Sequence, residues 1–112
     1  QELWDFGIPT AVSTAWMVEA GFFTVSSGGI GGPLDAATAL ALGARAVAVA
    51  RPVLKAHASD GRAGVEAFLS TMIDGLRAVM VCCGAATIDE LRRCPLVLGP
   101  RVTRYIEAGR SR

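Results

Sequence analysis

The residues best suited to chemistry are the run Gly28-Gly29-Ile30-Gly31-Gly32, closed by Pro33. The chemistry they suit is capture of an anion, because glycine lets backbone N–H groups approach a ligand with no Cβ in the way. The aromatic and β-branched stretch Phe22–Ser26 before them reads as a strand. Pro33 at the first helical position and Asp35 in the first turn open a helix after them. A strand, a glycine turn and a helix N-terminus turn several N–H groups outward, and the helix dipole favours negative charge there. Gly43 closes that helix, and the apolar run Arg45–Ala50 forms a second strand ending at Val49-Ala50-Arg51. Two backbone turns then follow two parallel strands, where (β/α)8 barrels place a phosphate. The candidate ligands are Gly28, Gly29 and Ile30 from the first turn and Val49, Ala50 and Arg51 from the second. Arg51 acts through its side chain or lends only its backbone, and the backbone role is favoured. A merely flexible strand–helix loop is the plain alternative. The second apolar strand and its turn weigh against it.

The flanking elements must position this pair of turns. Pro9 starts a helix over Thr10–Ala20, with Val12, Trp16, Met17 and Ala20 at helical spacing and Gly21 as its stop. Ahead of it, Trp4 and Phe6 have no hydrophobic run to join. Between the strands, Leu34, Ala37, Leu40 and Ala41 make a narrow stripe of small residues for close packing on a sheet. A strand–helix–strand unit this short must be a parallel, right-handed crossover. Arg62–Cys83 reads as the longest helix, with Val65, Phe68, Leu69, Met72, Ile73, Leu76, Val79, Met80 and Cys83 on a core-facing stripe. Thr87-Ile88-Asp89-Glu90 is a capping box for a short helix to about Arg93. Pro100 opens a last helix through Val102, Tyr105 and Ile106, stopped by Gly109.

Composition narrows the classes. The chain has 112 residues, room for one domain, and is 52% hydrophobic, which suits strands covered on both faces. The longest membrane-span candidate, Phe68–Ala86, is broken by Asp74 and Arg77. A span needs about 20 apolar residues, so a soluble chain with no membrane partner is expected. The net charge is +1. Arg101, Arg104, Arg110 and Arg112 gather at the end, read as a solvated helix and tail, and no basic groove interleaved with aromatics points to nucleic acid. Cys82, Cys83 and Cys94 lack zinc-ligand spacing and read as small, partly buried thiols of a cytoplasmic protein. His57 stands without metal-ligating companions.

Gly7-Ile8-Pro9-Thr10-Ala11, Ser27-Gly28-Gly29-Ile30, Leu34-Asp35, Ala39–Ala44 and Pro52–Ala56 together resemble the C-terminal part of type 2 isopentenyl-diphosphate isomerase. Gly84-Ala85, Ile88–Arg92 and Pro95-Leu96-Val97 extend the likeness over nearly the whole chain. The central segment is shared with other FMN-dependent barrels, such as the 2-hydroxy-acid oxidases. The resemblance implies a (β/α)8 TIM barrel that binds FMN and interconverts isopentenyl and dimethylallyl diphosphate. It also implies reduced FMN generated with NADPH, and Mg²⁺ for the substrate diphosphate. Gly28, Gly29 and Ile30 match the family's first FMN-phosphate turn, and Val49, Ala50 and Arg51 its second.

Two positions depart from the family pattern: Gly31 stands where Arg is common, and Thr38 where Lys is common. Such barrels take about 250 residues, so this chain is expected to supply about two strands, the seventh and eighth, and to be incomplete alone. Its expected division is a phosphate half-site over 26–52 and C-terminal helices over 62–108. The family's active-site glutamine and Mg²⁺-binding glutamate have no match here, so no catalytic or metal-binding residue is assigned. Completion by another chain or by copies of itself is expected. The alternatives are a different FMN-dependent barrel oxidoreductase, and a non-catalytic fragment that self-associates.

Overall fold

The computed structural model describes residues 7–110. Trp4, Phe6 and Arg112, named above, lie outside them. Five helices and two short strands follow in the order α1 (Thr10–Glu19), β1 (Val25–Ser27), α2 (Pro33–Ala41), β2 (Ala46–Ala48), α3 (Arg51–Cys82), α4 (Ile88–Leu91) and α5 (Pro100–Arg110). The strands pair in parallel, Val25 against Ala46 and Ser27 against Ala48, so β1–α2–β2 is the expected crossover unit.

The helices cover one face of this sheet. Ser26 points into them and is 2% exposed, while Val25 is 50% exposed and Ala46 and Ala48 are open to solvent. Among the described residues, the strands are therefore not covered on both faces. Their apolar composition serves a second face that these helices do not reach. The radius of gyration, 15.3 Å, exceeds the roughly 13 Å of a compact chain of this length, in keeping with that open side.

The core centres on α2, which packs on both flanks. Ala37 and Leu40 join Ala85 and Leu91, backed by Leu76, Val79 and Met80 of α3. Ala36 and Ala39 join Ile30, backed by Val47, Val49 and Met72. Four buried small or medium residues in nine positions explain why this helix can sit so close to the sheet. Leu34 is not part of the buried stripe; it is 66% exposed.

Several expectations need correction. The first strand begins at Val25, and Phe22 and Phe23 before it are largely exposed; the second stops at Ala48. In α1 the buried positions are Val12, Thr14 and Ala15, because its sheet-facing side is partly polar, and Met17 and Ala20 are exposed. The C-terminal helices begin at Arg51. Pro52 sits in the first turn, where its missing N–H costs no helical hydrogen bond. The helix is interrupted at Asp60 and Gly61, whose backbone is non-helical, with Gly61 at φ +52°. The helix expected from Arg62 follows that break, and the unexpected part is the helical segment from Arg51 ahead of it. Along α3 the Met-containing stripe is half-buried, with no residue fully enclosed and with Leu69 and Ile73 about half exposed. Cys82 and Cys83 are exposed. The last helix runs through Gly109, which lies so close to the Trp16 indole that a Cβ would meet it at 2.5 Å. That glycine permits a close approach and does not end the helix.

Candidate functional site: a backbone anion cleft

The cleft is built where β1 and β2 end. Its walls are Ser27, Gly28, Gly29, Ile30 and Gly31 on one side and Ala48, Ala50, Arg51 and Pro52 on the other, enclosing about 490 Å³. Five of the six candidate ligands, Gly28, Gly29, Ile30, Ala50 and Arg51, thus share one space. Val49 does not line it; its side chain packs on the Ile30–Ala36–Ala39 cluster.

The first wall has a conformation that requires glycine. Gly28 has φ +95° and Gly29 φ +76°, in the region that side-chain-bearing residues rarely adopt. A Cβ on Gly29 would meet no protein atom within 4 Å, so this residue borders open space. Among the described residues, the N–H groups of Gly29 and Ile30 have no hydrogen-bond acceptor. Ile30 is 7% exposed and anchors the turn in the core while also lining the cleft.

The N-terminus of α2 contributes less than the sequence suggested. Asp35 Oδ2 accepts from the Gly31 N–H at 2.9 Å and from the Gly32 N–H at 3.1 Å. These two donors are already satisfied by the protein's own carboxylate, and Pro33 has none to offer. The free donors of the first turn are therefore those of Gly29 and Ile30. The second wall is the start of α3. Ala50 caps it, and Arg51 and Val53 lie in the first turn, where helical N–H groups lack intrahelical partners. The Arg51 side chain is exposed at the rim and, among the described residues, is the one cation lining the cleft.

Side chains outside the predicted set hold these walls in place. Thr10 Oγ1 donates to the Gly28 carbonyl oxygen at 2.8 Å, and the hydroxyls of Thr14 and Ser26 meet at 2.7 Å in the interior. At the other end of β2, Arg92 Nη2 donates to the fully buried Ala44 carbonyl at 2.9 Å, while its Nη1 pairs with Asp89. Thr10 and Arg92 both fall in the family-like motifs, but only their motif membership was visible. Thr38, at one of the departures from the expected pattern, does not line the cleft; it lines a neighbouring cavity of about 190 Å³ that Thr10, Thr14, Gly28, Gly29 and Asp35 also border. Among the described residues, no three His, Cys, Asp or Glu side chains gather as metal ligands.

Parallel strands with helices on the outer face and a glycine-turn cleft at the strand ends define the C-terminal portion of an FMN-binding (β/α)8 barrel. The chain belongs to the FMN-dependent dehydrogenase family, whose family profile matches residues 13–97. Among curated relatives it is 42% identical over 96 residues to isopentenyl-diphosphate delta-isomerase of Methanothermobacter thermautotrophicus, covering 85% of this chain and 27% of the relative. It is 41% identical over 103 residues to the enzyme of the same name from Halobacterium salinarum, covering 92% and 28%. A solved mandelate oxidase mutant carrying a monooxide FMN adduct superimposes with a TM-score of 0.75 at 33% identity, over 85% of this chain and 31% of that one. The chain thus spans little more than a quarter of the length of the isomerases it matches.

The site fits the phosphate end of FMN. It offers unpaired N–H donors, a glycine face with no Cβ, a cation at the rim and ample volume. These are the features that bind a phosphate at strand ends.

Proposed function

We propose that this chain is the FMN-phosphate-holding part of a type 2 isopentenyl-diphosphate isomerase, which interconverts isopentenyl and dimethylallyl diphosphate in the cytoplasm. The observation that carries the reading is the identity of about 40% to isomerases over 85–92% of the chain, against 33% to the oxidase. In the complete barrel, the Gly29 and Ile30 N–H groups and the first turn of α3 hold the phosphate, and Arg51 adds charge at the rim. Reduced FMN, maintained with NADPH, supplies proton-transfer chemistry when bound, and Mg²⁺ accompanies the substrate diphosphate. This chain's own share is to bind and orient the cofactor's phosphate end. The remaining barrel strands, from the rest of the protein or from further copies of it, supply the catalytic groups. Among the described residues, no helix is long and apolar enough to cross a membrane.

A second reading, an FMN-dependent 2-hydroxy-acid oxidase, is favoured by the superposition on mandelate oxidase. Assay of the full-length protein with FMN, NADPH and Mg²⁺ separates the two. Interconversion of the two diphosphates without net oxidation is expected. Oxidation of a 2-hydroxy acid with no isomerisation would overturn the proposal in favour of the second reading.

A further inference from the structure

We propose that Thr10 is a positioning residue for the anion-binding turn: its hydroxyl fixes the Gly28–Gly29 peptide so that the Gly29 N–H faces the cleft. The inference rests on reading that cleft as a phosphate site.

Thr10 Oγ1 donates to the Gly28 carbonyl oxygen at 2.8 Å, and the described residues contain no cis peptide. In a planar trans peptide the C=O and the following N–H point in opposite directions. With the Gly28 carbonyl turned toward α1, the Gly29 N–H is turned away from α1, and Gly29 borders the cleft that Ala48, Ala50 and Arg51 also line. The bond matters because a peptide between two glycines resists flipping poorly. A flipped Gly28–Gly29 peptide would present a carbonyl oxygen to the anion in place of a donor.

The geometry of α1 makes this bond one rung of two. Thr10 meets Gly28 and Thr14 meets Ser26, so the helix runs antiparallel to the strand. Four helical residues rise about 6 Å and two strand residues about 6.6 Å, so the two contacts stay in register. The Thr14–Ser26 rung is buried and aligns the elements; the Thr10 rung, exposed at the strand end, orients the turn. Gly28 is matched to it, since a Cβ there would sit 3.1 Å from Thr10 Oγ1.

The test is titration of the full-length protein with FMN and with riboflavin, which differ only in the phosphate. The wild type is expected to prefer FMN. Thr10→Val keeps the side-chain shape and removes the hydroxyl; it should lower FMN affinity roughly three- to tenfold, the worth of one hydrogen bond. Riboflavin affinity should hold, and Thr10→Ser should restore the preference. Thr10→Ala gives the same readout if valine crowds the site. An unchanged preference, or an equal loss for both ligands, would overturn the positioning role. A wild type that fails to prefer FMN would instead overturn the phosphate reading, before any substitution is made.

Discussion

The two walls of the cleft present backbone N–H groups by opposite means. The first, Gly28–Gly31, uses backbone that only glycine adopts comfortably and is held by side chains at the turn itself: Thr10 from behind and Asp35 from the side. The second, Ala50–Val53, is the ordinary first turn of a helix, with α3 itself as its scaffold. Its strand is secured at the far end, where Arg92 takes the Ala44 carbonyl. The first wall should therefore be sensitive to local substitution, and the second should keep its order when a distant support is removed. The contrast has a physical basis. A helix start orients its N–H groups through its own hydrogen-bond ladder, whereas a glycine turn has no such ladder and must be pinned.

The sharpest way to break the comparison is Gly29→Val. A β-branched residue at φ +76° carries a backbone cost of roughly 1–3 kcal/mol, and its side chain enters the open space that Gly29 borders. FMN affinity of the full-length protein, followed by flavin absorbance or fluorescence, should fall on the order of 10–100-fold. Unchanged affinity would mean that the first wall does not touch the ligand.

Arg92→Met tests the remote support of the second wall. It leaves the buried Ala44 carbonyl without its charged donor, at a cost of about 1.5–3 kcal/mol. The expected result is a lower Tm with a preserved preference for FMN over riboflavin, since the helix start retains its own order. Asp35→Ala should cost less, about 1 kcal/mol in stability, because the Gly31 and Gly32 N–H groups it serves are exposed and can turn to water. Its effect should still reach the ligand, with a loss of FMN affinity that Asp35→Asn, which keeps one acceptor oxygen, partly restores. If Asp35→Ala lowers the Tm and leaves flavin binding intact, the two walls are equally indifferent to local pins, and the contrast is wrong.

How far this was legible in the sequence follows the same divide. Glycine punctuation between two apolar runs marked the crossover, and Pro33 with Asp35 marked the start of α2, because those residues act through local backbone geometry. The helical segment that opens α3 was missed because Arg51-Pro52 fits a strand end as well as a first helical turn, whereas the helix after the break at Asp60 and Gly61 was legible from Arg62 onward. Pattern could not show that Asp35 consumes the donors of Gly31 and Gly32, since a first-turn carboxylate supports the helix dipole whether or not it reaches back. The pins themselves are long-range. Thr10 lies 18 residues from Gly28, and Arg92 lies 48 from Ala44. No periodicity encodes such a pairing. The open face of the sheet was hidden for a related reason: a strand's composition records that both faces are apolar without recording which elements cover them.

Arg51→Ala should have the smallest effect, and it bears most directly on how the second wall works. Its side chain is exposed at the cleft rim, where solvent and salt screen its charge. Alanine favours helix and leaves the backbone N–H in place. FMN affinity should fall less than about threefold, in line with the modest worth of exposed charge pairs, and the residual effect should fade as salt is raised. A loss as large as that of Gly29→Val would shift the second wall's contribution from its backbone to the guanidinium. Arg51 would then be the cationic partner of the phosphate, supplying a charge that Gly31 and Thr38 do not carry.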